Sequence, residues 1–136
     1  MAKKRILVVD DHAPTVALVR AILDAEKHTQ YEVVEAATGT ECLKAMDQKG
    51  PFDLILLDVN LPDMDGFSVC RALRHVETRV PIVFVTGQGD LKDFAAGREA
   101  GGDSYLVKPI SRNALKAIVG LLTNIDRAGA RELSKT

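Results

Sequence analysis

Four polar clusters stand where short apolar runs of this 136-residue chain stop. Asp10-Asp11 follows Ile6-Leu7-Val8-Val9, and Asp58 follows Leu54-Ile55-Leu56-Leu57. Thr86 follows Ile82-Val83-Phe84-Val85, and Lys108 follows Tyr105-Leu106-Val107. Singly, each is a common way to leave a strand. Gathered in one cleft they have a definite chemistry. Three carboxylates repel one another unless a cation neutralises them. Oxygen donors suit Mg²⁺ or Ca²⁺, and Mg²⁺ often shares one or two carboxylates with phosphate oxygens. A bound phosphoryl group needs that metal, a fixed cation and a hydrogen-bond donor, and a carboxylate can serve as its nucleophile. The adjacent Asp10 and Asp11 suit the metal, Lys108 the cation and Thr86 the donor. Asp58, solitary and opening a long loop, suits the acceptor. The residues alone thus point to Mg²⁺-dependent phosphoryl transfer onto Asp58.

The elements that must bring them together alternate along the chain. Strands are expected at Arg5–Val9, Tyr31–Glu35, Asp53–Leu57, Pro81–Val85 and Ser104–Val107. Leu54 to Leu57 is apolar without alternation, as in a strand buried on both faces. Helices are expected between and after them. The first follows Pro14, carries Val16, Val19, Ile22 and Leu23 at helical spacing, and runs to about Lys27. Thr38 and Glu41 form a capping box for the second, whose Cys42, Leu43 and Met46 should face inward. Asp65 can cap the third, from Gly66 to about His75, with Phe67, Cys70 and Leu73 inward. The fourth, about Leu91 to Ala100, contains Gly97, a cost of ~1 kcal/mol against Ala that should make it the least stable helix. Ser111 caps the fifth, which runs to about Ile125. Five strands alternating with five helices over short connections predict an α/β fold, a parallel sheet covered on both faces. In such a sheet all carboxyl ends share one edge, which would gather the polar clusters.

Composition narrows the classes. One domain suits this length, and residues 127–136 read as a polar tail or the start of a linker. A net charge of −1 gives no general attraction to nucleic acid or anionic membrane. An aromatic share of 4% argues against a base-stacking surface. No apolar run approaches the ~20 residues of a membrane span, and Ile6–Val9 is too short for a signal-peptide core, so a cytoplasmic protein is expected. Cys42 and Cys70 read as buried reduced thiols. The three histidines form no ligand cluster, and His12 reads as a bystander beside the acids.

The ordered set Val8-Val9-Asp10-Asp11, Asp58 with Leu61-Pro62-Asp63-Met64-Asp65-Gly66, Val85-Thr86 and Tyr105-Leu106-Val107-Lys108-Pro109 resembles the receiver domains of two-component response regulators, from about Arg5 to Ile125. That likeness implies a flavodoxin-like five-stranded sheet of order 2-1-3-4-5. It implies that Asp58 takes a phosphoryl group from a phosphohistidine on a sensor histidine kinase or phosphotransfer protein. Asp10, Asp11, Asp58 and the backbone carbonyl of Asn60 would hold Mg²⁺, and Lys108 would pair with the phosphate. Thr86 would move toward it, Tyr105 would swing inward behind Thr86, and the bond before Pro109 would be cis. Asn60 and Gln88 fall at positions that in the family influence dephosphorylation. Gly87 stands where the family often has Ala.

Phosphorylation adds about −1.5 to −2 charges and new acceptor oxygens. The family's output face, helix four with strand five and helix five, is the expected route to a downstream effector protein or domain. Helix five carries a broad apolar arc of roughly 200°, either a wide core face or a homodimer or partner surface. Two other readings use the same residue types. A dehalogenase-type phosphohydrolase would want an acid at position 60, a late metal pair and a cap domain. Within the receiver reading, both a free-standing regulator and a receiver cut from a hybrid kinase or a longer regulator stay open, and with no DNA-binding helix pair or other effector in the sequence, output is expected through a partner.

Overall fold

A computed structural model describes residues 3–76, 79–87 and 91–124, with the side chains of residues 91 and 92 excepted. The strands are β1 (Lys4–Val9), β2 (Tyr31–Ala36), β3 (Leu54–Asp58), β4 (Ile82–Thr86) and β5 (Ser104–Val107). The helices are α1 (Ala13–Asp24), α2 (Gly39–Lys49), α3 (Gly66–Val76), α4 (Leu91–Ala100) and α5 (Arg112–Asn124). The sheet is parallel throughout, in the order β2-β1-β3-β4-β5, and the expected fold class and strand order hold.

The period-two alternation of strand side chains divides the core into two layers. Ile6, Val8, Leu54, Leu56, Val83 and Val85 face α1 and α5 and meet Val16, Val19, Ile22, Leu115 and Val119. Leu7, Val9, Ile55, Leu57, Ile82 and Phe84 face the other way, onto Cys42 and Ala45 of α2 and Val69, Cys70 and Leu73 of α3. All five residues of β3 and of β4 are buried, which explains the apolar runs that precede Asp58 and Thr86. Burial pushes the Cys42 thiol up to about 12 and the Cys70 thiol up to about 11, so both stay protonated.

Several local details depart from expectation. α1 ends at Asp24, three residues early, because its inward stripe ends with Leu23. β3 and β4 each run one residue further than expected and include Asp58 and Thr86 themselves. At the start of α2, Thr38 Oγ1 accepts the Glu41 N–H at 3.0 Å, but Glu41 reaches back to the N–H of Ala37 rather than that of Thr38. Ala45 takes a buried place on α2, while Leu43 and Met46 are half-buried beside Pro51 and Val76. Asp65 and Ser111 cap α3 and α5 as expected, accepting from Ser68 N at 2.8 Å and Ala114 N at 3.3 Å. Ile125 and Gln88 lie outside the described residues.

Opposite the polar edge, Lys4 at the start of β1 reaches the last turn of α5. Its Nζ donates to the Thr123 carbonyl at 3.0 Å and also bonds the Asn124 side chain. A cation there also suits the negative end of the helix dipole.

Close approach at two glycines bears on the site. A Cβ at Gly66 would stand 2.9 Å from Val59 Cα and closer still to the Asp58 carbonyl oxygen. A Cβ at Gly97 would stand 2.7 Å from Tyr105 Cε2 and 2.9 Å from its Cζ. Gly97 is therefore a packing slot and not merely a weak point in α4. The Tyr105 ring fills the slot, 4.6 Å from the Phe94 ring and 5.3 Å from that of Phe84. Its hydroxyl donates to the Asp93 carbonyl in the first turn of α4.

Gly66→Ala should lower stability by about 1–3 kcal/mol through backbone displacement. Gly87→Ala, with open space at its Cβ, should be neutral or stabilise by up to about 1 kcal/mol; urea unfolding of both separates the two. Gly97→Ala should destabilise the wild type but stabilise a Tyr105→Ala background, where helix propensity is worth about 1 kcal/mol. A double-mutant cycle with additive effects would refute the slot.

Candidate functional site

The carboxyl edge of the sheet collects the residues singled out above. Asp10, just after β1, and Asp58, ending β3, are each 5% exposed. Asp11 is exposed, and carboxylate oxygens of all three lie within 4.8 Å of one another. Lys108 Nζ bridges the buried pair, 2.9 Å from Asp10 Oδ2 and 3.3 Å from Asp58 Oδ2. The remaining oxygens take backbone donors. His12 N–H donates to Asp10 Oδ1 at 2.8 Å, and Asn60 N–H to Asp58 Oδ1 at 3.1 Å. The His12 ring hydrogen-bonds Thr15 Oγ1 at 2.7 Å.

Electrostatics follows from this packing. Burial pushes the Asp58 carboxyl above its ordinary value and the charge of Asp10 adds to the effect, against the pull of the Asn60 N–H and Lys108. Burial pulls the Lys108 ammonium down, but its bonds to Asp10 and Asp58 outweigh it and hold Lys108 above its usual value. Three carboxylates against one ammonium leave a surplus of negative charge. Hard oxygen donors with such a surplus fit a divalent cation of the Mg²⁺ or Ca²⁺ kind.

Thr86 ends β4 beside this cluster, one residue past the Asp58–Val85 register pair, and is 2% exposed. Its carbonyl accepts the Lys108 N–H at 2.7 Å and so joins the ends of β4 and β5. The Lys108-Pro109 bond is cis, and so is Gly50-Pro51. Tyr105 is in register with Phe84 and packs under α4 rather than among the acids. Asn60 is exposed and meets Asp58 through its backbone.

One residue carries a connection that sequence reasoning missed. Asp63, in the loop after β3, reaches the start of α2. Its oxygens accept from Gly39 N at 2.8 Å, Thr40 N at 2.9 Å and Thr40 Oγ1 at 2.7 Å. The Thr40 hydroxyl and the Thr40 and Gly39 amides hold its carboxyl down at about 2. The available hint was an acid in one loop and free first-turn N–H groups at another helix start.

Known proteins resemble the chain along most of its length. The model of the response regulator receiver domain matches residues 6–120. The probable transcriptional regulator ycf27 of Porphyridium aerugineum is 39% identical over 132 residues, 96% of this chain and 52% of that protein. The alkaline phosphatase synthesis transcriptional regulatory protein PhoP of Bacillus subtilis (strain 168) is 40% identical over 116 residues, 85% of this chain and 47% of that protein. The chain thus spans about half the length of these curated relatives. Among solved structures, a putative response regulator from Chloroflexus aurantiacus J-10-fl superposes with a TM-score of 0.83 at 32% identity, over 90% of this chain and 99% of that one. The receiver domain of sensor histidine kinase PA1611 from Pseudomonas aeruginosa PAO1, with a magnesium ion coordinated in its active site cleft, gives 0.80 at 30% identity, over 90% and 99%. With its five-stranded order, its acid cluster and its bridging lysine, this chain belongs to the family of response regulator receiver domains of two-component signalling.

Proposed function

We propose that the chain takes a phosphoryl group onto Asp58 from a phosphohistidine on a sensor histidine kinase or phosphotransfer protein. The observation that carries this reading is the buried Asp58 carboxylate, sharing Lys108 with Asp10 at the sheet edge. An Asp58 oxygen attacks phosphorus, the P–N bond breaks, and its electron pair stays on the imidazole, which takes up a proton. Lys108 then leaves the Asp58 oxygen for a phosphoryl oxygen while Asp10 keeps it in place. The Thr86 hydroxyl donates to a second phosphoryl oxygen. Asp10, Asp11, Asp58 and the Asn60 backbone carbonyl would hold Mg²⁺, whose charge when bound offsets that of the phosphoryl oxygens.

The new charge is read through Thr86 and Tyr105 into α4, β5 and α5, the surface for an effector or a second copy of the chain. Exposed Val107 and Leu121 on that side support this assignment. Asn60 and Gln88 modulate dephosphorylation. Residues 1–126 form the receiver and 127–136 a tail or linker. The domain acts as a cytoplasmic regulator, catalysing only its own phosphorylation and dephosphorylation. The names of the relatives suggest transcriptional control as the final output. No described helix is long and apolar enough to cross a membrane.

Incubation with Mg²⁺ and an acyl phosphate should add one phosphoryl group to the wild type and none to Asp58→Asn, as read by intact mass. A modified Asp58→Asn protein would place the acceptor elsewhere. Stability tests the electrostatics separately. Because the folded-state carboxyl is raised, ionised Asp58 costs stability at neutral pH, and that cost fades as pH falls through its folded value. In chelator, Asp58→Asn should unfold above the wild type at pH 7, with the gap closing toward acid pH. An equal gap at both pH values would contradict the raised carboxyl.

A further inference from the structure

The loop between β3 and α3 carries the backbone on which Asp58 depends, and two separate sets of contacts hold it. At its base, Gly66 N–H donates to the Val59 carbonyl at 2.7 Å, and Asn60 pairs with Asp65 in an antiparallel bridge. At its tip, Asp63 makes three bonds to the first turn of α2. Leu61 and Met64, on either side of Asp63, are half-buried against the core layer beneath.

We propose that Asp63 is a positioning residue for phosphoryl transfer: by fastening the loop tip to Gly39 and Thr40, it fixes Asn60, whose amide holds Asp58 and whose carbonyl is among the proposed Mg²⁺ donors. The inference rests on the reading of Asp58 as a Mg²⁺-dependent acceptor. Thr38 satisfies one first-turn N–H of α2, and a cap for the others supplied from the β3–α3 loop also ties that loop to the helix. Thr38 serves the Glu41 N–H, whereas Asp63 serves the two preceding donors, Gly39 and Thr40, from a different element. An exposed side chain held by three directed bonds acts as a strut. Asn60 lies between the strut and the end of β3, so both ends of its segment are anchored. Groups that orient metal donors from behind influence affinity strongly even though they never touch the ion. The Asp63 carboxyl stays ionised down to strongly acid pH, so the strut is in place wherever the site operates.

The test uses two readouts on the wild type, Asp63→Ala, Asp63→Asn and Thr40→Val. The first is Mg²⁺ affinity by calorimetric titration. The second is hydrogen exchange of the Asn60 amide in Mg²⁺-free protein. Asp63→Ala should weaken Mg²⁺ binding about tenfold, the lower end of losses seen when donor-orienting groups are removed, and should speed Asn60 exchange. Asp63→Asn, which keeps one acceptor oxygen, should fall between it and the wild type. The half-saturating Mg²⁺ concentration for phosphorylation should rise with the dissociation constant, while the rate at saturating Mg²⁺ changes little. A lower unfolding temperature and faster Gly39 and Thr40 exchange, with wild-type Mg²⁺ affinity and Asn60 exchange, would reduce Asp63 to a helix cap and overturn the proposal. If Asp63→Ala does not fold, Thr40→Val removes one bond, keeps the charge and is judged by the same readouts. A wild type that binds no Mg²⁺ would refute the acceptor reading instead, and Asn60 exchange in the metal-free variants would still decide whether Asp63 fixes the loop.

Discussion

The bridge from Lys108 to Asp10 and Asp58 is the constraint around which this fold is arranged. Two nearly buried carboxylates side by side are unstable without a positive partner, and burial alone already pushes Asp58 toward its neutral form. Lys108 can serve both only if β1, β3 and β5 end level with one another. Parallel pairing in the order β2-β1-β3-β4-β5 meets that requirement, and the fully buried β3 and β4, apolar up to their last residues, hold the register. The polar edge costs stability that the two apolar layers beneath it must supply. A protein selected for stability alone would not keep this cluster.

The layered core and the polar edge were both readable from residues, because each rests on a short-range rule. Period-two and period-3.6 patterns gave the faces, and polar residues ending apolar runs gave the site. What escaped depends on pairs far apart in sequence. The Asp63 strut joins a loop to a helix start more than twenty residues earlier. Gly97 looked like a weak spot in α4 because its partner, the Tyr105 ring, comes from the following strand. Glu41 belongs to the expected cap but bonds one residue further back, at Ala37. α1 stops once its inward stripe is exhausted, although the sequence beyond it carries no breaker.

Tyr105 links the site's strand to α4 through three contacts of different kinds. Its ring meets two other aromatics, its edge fills the space left by Gly97, and its hydroxyl bonds the first turn of the helix. Steric, aromatic and polar terms therefore all favour one placement of the ring. Such agreement produces discrete alternatives rather than gradual drift, since a ring that leaves the slot gives up all three at once. Asp63 does the same for the β3–α3 loop with hydrogen bonds alone.

The Lys4 contact with the final turn of α5 has a consequence for reach. It puts residue 124 beside the start of β1, one full strand away from the acids. Six extended residues span about 20 Å, roughly twice the Debye length at 0.1 M salt. Residue 124 therefore lies at the pole of the domain opposite Asp58. Under the proposed transfer, a charge placed on Asp58 would act on that pole through the packed strands and helices between them.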